Sequence, residues 1–255
     1  MYSRIAKNAR LGDGCISRNG KNAKLSFMST DLDVLKLKRQ MCEEEGIVCT
    51  AFGTQKSGYG GTKTIYNFYT RVHEKITEVY EASYSDLIKT LDKQDLFLWL
   101  IDDGSWHKNQ NLFHLYCNML NDDEANLLIE QIYKLYGVRP RLRKDRKKDG
   151  RQFNYLYFPR QLTILVRPEF KKFLIENNLH SMMYKVGGEN YEDPLEKLSP
   201  ELIASPVYRT LLNRYTSIRH YDKSPIINEY SKFVSIKWRS LNGEEREEVI
   251  YKEVS

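Results

Sequence analysis

Apolar residues along this chain follow two rhythms, and these alternate in the same order twice. Between Asp31 and Glu45, the residues Val34, Leu35, Leu37, Met41 and Cys42 share one face at helical spacing. This predicts an amphipathic helix capped by Ser29 or Thr30 and stopped by Gly46. Upstream, Cys15–Arg18 and Ala23–Met28 read as two strands turning at Asn19-Gly20, a hairpin signal. Downstream, Ile47–Thr54 and Thr64–Arg71 read as a second strand pair, joined by the Gly-rich stretch Ser57–Gly61. A helical stretch follows over roughly Ser85–Asp92.

The same order then returns. Leu112–Met119 reads as a strand, and Asn121 is placed to cap a helix over Asp122–Tyr136. That helix carries Ala125, Leu128, Ile129, Ile132 and Leu135 on one face and is stopped by Gly137. Two strand-like runs come next, around Val138–Arg143 and Arg151–Phe158. Each half opens on a helix-like run that closes on Asp-Gly: Leu11-Gly12-Asp13-Gly14 in the first, Leu98-Trp99-Leu100-Ile101-Asp102-Asp103-Gly104 in the second. Asp13 to Gly46 and Asp103 to Gly137 are the same interval to within one residue. Both second hairpins are tyrosine-rich, and their Tyr and Phe residues read as core and sheet positions rather than base-stacking platforms. The expected fold class is α+β, with two pseudo-symmetric αββαββα halves over residues 1–92 and 93–188, followed by a C-terminal extension over 189–255. In the extension the pattern suggests a helix near Pro200–Ser217 and a hairpin pairing Phe233–Ser240 with Glu245–Val254 across Asn242-Gly243.

Composition narrows the class. With 255 residues, 41% hydrophobic and 29% charged, the chain is globular rather than disordered. No apolar run reaches membrane-span length, and the N-terminus has no signal-peptide core. The four cysteines show neither CxxC pairing nor zinc spacing with the five histidines, which fits reduced thiols in a cytoplasmic or organellar protein that is not secreted. The net charge of +6 suggests a polyanionic partner. Between Arg139 and Arg151, eight basic residues face two acidic ones. The Gly58–Gly61 stretch lacks the Lys-Ser/Thr and helix of a phosphate-binding loop. His107 has no second His or Cys at ligand spacing and reads as a DNA-facing or surface residue.

Two carboxylates at matched helix tips can share a divalent cation and attack a phosphodiester, since a hard cation prefers oxygen ligands and keeps its waters. At these residues the chain resembles the LAGLIDADG homing endonucleases of the single-chain, two-motif kind. Leu98–Gly104 matches the second motif and Leu11–Ile16 the end of the first. Ser181-Met182-Met183-Tyr184-Lys185 resembles the end of the second half in the family's yeast mitochondrial, intron-encoded type. The resemblance implies two motif helices packed side by side, each half presenting a four-stranded antiparallel saddle to the DNA major groove. It implies Mg²⁺, or another divalent metal such as Mn²⁺, held by Asp13 and Asp103. Gly12 and Asp102 adjoin them in the candidate metal set, Asp102 as a helix-end or interface residue rather than a direct ligand. It also implies an assisting basic residue in each half, by position Lys75 and Lys185.

DNA contacts are expected from Arg18, Lys21, Lys24, Lys56 and Lys63 in the first half. In the second they are expected from His107, Lys108, Arg139, Arg141, Arg143, Lys144, Arg146, Lys147, Lys148 and Arg151. Arg139, Arg141 and Arg143 would alternate onto one strand face, where Arg can read guanine, with the lysines on phosphates. In the extension, Arg209, Arg214 and Arg219 either lengthen that footprint or lie in a cap on the second half.

The first motif departs from the pattern, because Lys7, Asn8 and Arg10 stand where apolar and small residues are expected. The leading expectation is a monomeric site-specific endonuclease that makes a double-strand break in a long asymmetric duplex and so promotes mobility of its host intron. The alternatives are a maturase that binds its intron RNA, read by shape and single strands, and a DNA-binding protein of the same fold with decayed catalysis.

Overall fold

A computed structural model describes residues 2–56, 63–108, 110–146, 152–191, 193–198, 203, 210–211, 224–228, 233–239 and 243–252. The first half runs α1 (Arg4–Leu11), β1 (Gly14–Asn19), β2 (Asn22–Ser29), α2 (Leu32–Glu44), β3 (Gly53–Lys56), β4 (Thr64–Tyr69) and α3 (Glu74–Glu81). A short α4 (Tyr84–Lys89) leads into the second half: α5 (Lys93–Asp103), β5 (Gly104–His107), β6 (Leu112–Tyr116), α6 (Asp122–Tyr136), β7 (Arg141–Arg146), β8 (Gln152–Tyr157) and α7 (Arg160–Glu176). The two sheets have the same antiparallel strand order, β1-β2-β4-β3 and β5-β6-β8-β7. The fold is therefore the α+β double αββαββα arrangement expected from the repeat.

Local chemistry sets most boundaries. Asn121 and Glu124 form a reciprocal capping box at the start of α6, and Gly137 ends that helix in the left-handed region. Asp92 and Asp95 form the same box on α5. The cap of α2 is Asp31, not Ser29 or Thr30; its carboxylate accepts from the N–H groups of Asp33 and Val34. The first hairpin turns at Gly20-Lys21, one residue later than expected, with Asn19 opposite Asn22. Residues 47–52 are not a continuous strand: the ladder begins at Gly53, and Ile47 is buried without being part of it. Helix α3 was not anticipated, since its eight residues bury only Ile76 and Val79.

Helix α1 packs against α5, each helix also contacting the sheet of its own half. Two buried apolar clusters lie on either side. One belongs to the first half and includes Ile5, Ala9, Leu25, Phe27, Leu35 and Phe68. The larger one includes Trp99, Phe113, Leu115, Leu156 and Phe170 of the second half, and also takes in Leu11, Val34, Leu37 and Ile88 from the first. Past α7, 3-10 turns over His180–Val186 and Pro194–Lys197 pack on it. The C-terminal extension holds a three-stranded sheet, β11 (Glu245–Lys252), β10 (Phe233–Arg239) and β9 (Ser224–Asn228), one strand more than the expected hairpin. The expected helix near Pro200–Ser217 falls almost entirely outside the described residues, as do Arg209, Arg214 and Arg219. Among the described residues, no helix is long and apolar enough to cross a membrane.

Candidate active site and nucleic-acid face

Asp13 and Asp103 stand at the C-terminal tips of the two packed helices, α1 and α5. The glycines around them serve close approach rather than a left-handed turn. A Cβ on Gly14 would meet Ala9 at 2.4 Å, one on Gly104 would meet the Leu100 carbonyl oxygen at 2.3 Å, and one on Gly12 would lie 2.4 Å from Asp102 Oδ2.

The polar residues that interrupt the first motif are accommodated at the helix interface. They find acids on α5. Lys7, 4% exposed, donates to Asp95 Oδ2 at 2.6 Å and to the Thr90 carbonyl. Asn8 Nδ2 donates to Asp102 Oδ2 at 3.0 Å, and Arg4 reaches both Asp92 and Asp95. Arg10 turns outward to the carbonyls of Val79 and Tyr80.

Asp103 is the most perturbed carboxyl at the site. Burial first, then the charges of Asp13 and Asp102, push it up to about 7, against a smaller pull from the Trp99 indole and Lys185. Its Oδ2 is buried and completes no hydrogen bond. Asp13 is exposed at its helix tip, yet desolvation and then Asp102 also raise it, with Lys38 and Lys185 opposing. Lys185, 8% exposed, donates to the carbonyls of Gly104 at 2.9 Å and of Leu100 and Asp102 at 3.3 Å, so its ammonium is fixed on the end of α5. Burial lowers its pKa first, while Asp102, Asp13 and Asp103 raise it.

Lys75 is not brought to this cluster. It is exposed on the first turn of α3, where its Nζ donates to the Glu45 carbonyl at 2.7 Å. A lysine that the sequence reading missed is there instead. Lys38 Nζ donates to both oxygens of Asp102, at 2.7 and 2.8 Å, with both side chains under 5% exposed. The signal was available, because Lys38 sits four residues from both Val34 and Cys42 on the buried face of α2.

The open faces of the two sheets differ. Strand pairing puts Arg141 and Arg143 beside Tyr157 and Tyr155, and His114 beside Tyr157. Both Arg side chains are exposed. His107 and His114 stack with ring centroids 4.0 Å apart, and His114 lies 4.6 Å from Tyr155. These tyrosines lie on the open face, not in the core, where Leu156 and Phe158 are fully buried. The first half's open face carries Lys24, Ser26, Met28, Asn67 and Tyr69.

Several expected DNA contacts lie elsewhere. Arg18 is on the helix side of β1 and pairs with Glu81 at 3.3 Å. Arg139 precedes β7, forks onto Glu130 at 2.9 Å and stacks on Tyr133, so it does not alternate with Arg141. Lys144 points to the helix side and holds Asp122 at 2.7 Å. Lys56 shares a strand face with the inward Tyr66 but is exposed at the strand end. Lys21, Lys63 and Lys108 are exposed in turns or at strand starts. Arg146 is in β7, while Lys147, Lys148, Arg151 and the Ser57–Gly61 stretch lie outside the described residues.

Among the described residues, no group of three or more His, Cys, Asp or Glu could hold a metal by itself. Two carboxylates, one with a buried unpartnered oxygen, still fit a hard divalent cation that keeps its waters and completes its shell on a substrate phosphate.

A sequence model of the LAGLIDADG DNA endonuclease family matches residues 10–163. No curated protein sequence matches the chain. Among solved structures, the homing endonuclease I-WcaI bound to its DNA recognition sequence superposes with a TM-score of 0.53 at 17% identity, covering 74% of this chain and 88% of that one. The N-terminal LAGLIDADG domain of DUF199/WhiA (TM-score 0.43, 10% identity, 76% and 86% covered) and mesophilic variants of I-DmoI (0.42, 13%, 63% and 84%) are more distant. The I-WcaI similarity supports the fold, and the match does not single out a yeast mitochondrial branch. The chain belongs to the LAGLIDADG DNA endonuclease family.

Proposed function

We propose that this protein is a single-chain, site-specific homing endonuclease that makes a metal-dependent double-strand break in an asymmetric DNA target and so promotes mobility of its host intron. The observation that carries the reading is the pair of carboxylates, Asp13 and Asp103, at the ends of the packed helices α1 and α5, with one buried Asp103 oxygen that completes no hydrogen bond. Such a group is costly to keep for stability alone and is suited to a bound cation. Asp13, Asp103 and the Gly12 carbonyl would hold Mg²⁺ or Mn²⁺, with Asp102 committed to Lys38, Asn8 and the Asp13 N–H instead. When bound, the metal supplies charge relief on the phosphoryl oxygens and an activated water.

The protein's own part is positional and electrostatic. The α1–α5 packing fixes the two carboxylates at adjacent tips. Lys185, held on three carbonyls, offers a fixed positive charge where the phosphodiester turns anionic. The exposed Arg141 and Arg143, with Lys24 on the other sheet, would seat the duplex as a monomeric complex.

The test is cleavage of DNA carrying the intronless host allele, with and without Mg²⁺, by wild type, Asp13→Asn and Asp103→Asn. Metal-dependent cutting at one place, lost or reduced to nicking in either variant while binding survives, is the expected result. Tight binding without cutting by wild type would instead identify a DNA-binding protein with decayed catalysis. Preference for intron RNA over any duplex would identify a maturase.

A further inference from the structure

Counted from the motif aspartate of each half, two positions differ in kind. Asp13 to Lys38 and Asp103 to Leu128 are the same interval, so Lys38 occupies the place of Leu128, a core residue that is 0% exposed. By the same count Asp102 occupies the place of Gly12. A buried lysine in place of leucine costs stability unless it is paired. Here the two exchanged residues pair with each other across the halves, at 2.7 and 2.8 Å. Neutralising Asp102 cannot be the whole role of Lys38, because a glycine at that position would need no partner.

Asp102 does something specific. Its Oδ2 accepts the Asp13 N–H at 3.1 Å and Asn8 Nδ2 at 3.0 Å, close enough over Gly12 to exclude a side chain there. The backbone that carries Asp13 is therefore tied to a carboxylate, and Lys38 holds that carboxylate in place through both of its oxygens. The backbone around Asp103 is tied by the opposite sign, with the Lys185 ammonium donating to the carbonyls of Leu100, Asp102 and Gly104.

We infer that the Lys38–Asp102 pair is a one-sided positioning device for Asp13, which makes the two carboxylate sites unequal and the two DNA strands cut at unequal rates. The inference rests on the endonuclease reading above. Lys38 and Asp102 are positioning residues: both side chains are under 5% exposed, and the Lys38 ammonium donates to both oxygens of Asp102.

The decisive variant is Lys38→Leu with Asp102→Gly, which copies into the first site the residues present at the second and leaves no charge buried alone. Asp102→Asn provides a milder version that keeps an acceptor oxygen. Strand-resolved cutting would be measured on the duplex recovered by selection from a random library, with Asp13→Asn and Lys185→Met as references. Misplacing one reacting group slows its step strongly, so cutting of one strand should fall ~10-fold or more in the double variant while the other changes less than ~2-fold. Lys185→Met should slow the opposite strand more, and affinity for the duplex in Ca²⁺ should stay within ~2-fold in every variant. Equal slowing of both strands, or unchanged rates, overturns the inference.

If wild type cuts no duplex, the endonuclease reading fails separately, and Mn²⁺ titration of the free protein by calorimetry decides the device. A drop in Mn²⁺ affinity approaching that of Asp13→Asn supports it, and affinity equal to wild type overturns it.

Discussion

At the tip of α1 the backbone of Asp13 is held by an anion; at the tip of α5 the backbone around Asp103 is held by a cation. The helices themselves differ in the same sense. Helix α5 buries Leu96, Leu98, Trp99, Leu100 and Ile101, whereas α1 buries Lys7 and Asn8 among its small residues. One order of elements thus accommodates two chemistries at its central contact. A repeat constrains the path of the backbone and leaves the polarity of the interface free, provided each buried charge meets its opposite on the other helix.

The largest expected effect comes from breaking that match on one side only. Lys7 and Asp95 are 4% and 3% exposed at the side chain, and burial raises the Asp95 pKa despite the lowering effect of Lys7. Desolvation therefore outweighs the pair's attraction, and the pair serves fit between the halves more than net stability. Asp95→Ala leaves the Lys7 ammonium buried alone and should cost about 3–5 kcal/mol in urea unfolding. Lys7→Met combined with Asp95→Leu should recover most of the loss. If the double variant proves as unstable as the single one, the interface depends on the charges themselves and not only on their balance.

The second prediction separates the tips by pH. Asp103 is raised from 3.8 to about 7, so the folded state holds its proton more tightly than the unfolded chain does. A raised carboxyl leaves stability intact below about pH 4 and removes it as pH climbs to about 7. In metal-free protein, Asp103→Asn should therefore be more stable than wild type at pH 8, by about 2 kcal/mol once partial solvent screening is allowed for. The two should converge only as pH falls to about 4. Mn²⁺ should close the gap at pH 8, since binding needs the ionised carboxylate. Equal unfolding midpoints for wild type and variant across this range would contradict the burial of Asp103.

Much of this was legible in the sequence, and the failures have physical causes. Helix α6 was readable end to end because its cap, its apolar face and its stop lie within one continuous segment, Asn121 to Gly137. The fitness of α1 for its interface was not, because Lys7 and Asn8 make sense only when Asp95 and Asp102, some ninety residues away, are placed opposite them. Lys38 could be placed on the buried face of α2 from its spacing, but its partner Asp102 lies in the other half. Strand faces failed on register: a slip of one residue moves a side chain to the other face, and sequence alone does not fix pairing. Arg18 and Lys144 are thus on the helix side, while Tyr155 and Tyr157 are on the open side. The short β5 and α3 offer too few residues to show a period.

Contrasting the two open faces gives the third prediction. The second sheet presents exposed Arg141 and Arg143 beside aromatic rings, whereas the first presents Lys24 among Ser26, Met28 and Asn67. Arg143→Ala should weaken target binding by about 1–3 kcal/mol and relax preference at one or two base pairs in one half-site, as expected for a fork that reads guanine. Lys24→Ala should weaken all duplexes alike and lower the salt slope by about one unit, as expected for a phosphate contact. Competition binding against single-base variants of the target, repeated at two salt concentrations, separates the two. Uniform weakening from Arg143→Ala would place that residue on the phosphates as well.

The smallest effect is expected from basic residues that look, in sequence, like part of the same patch. Arg139 is forked onto Glu130 and stacked on Tyr133, and Lys144 holds Asp122 at the start of α6. Both ion pairs are solvent-exposed, so each adds little to stability. Reaching DNA from there would require breaking the pair and leaving the helix side of the sheet. Arg139→Ala and Lys144→Ala should therefore change target affinity by less than about 2-fold, within the range of a surface substitution away from any contact. Their removal lowers the net charge by the same amount as Arg143→Ala does, so general attraction to the polyanion cannot account for a difference between them. If either variant loses affinity as Arg143→Ala does, the duplex reaches past the sheet to the α6 side, and the boundary drawn here between the reading face and the supporting face is wrong.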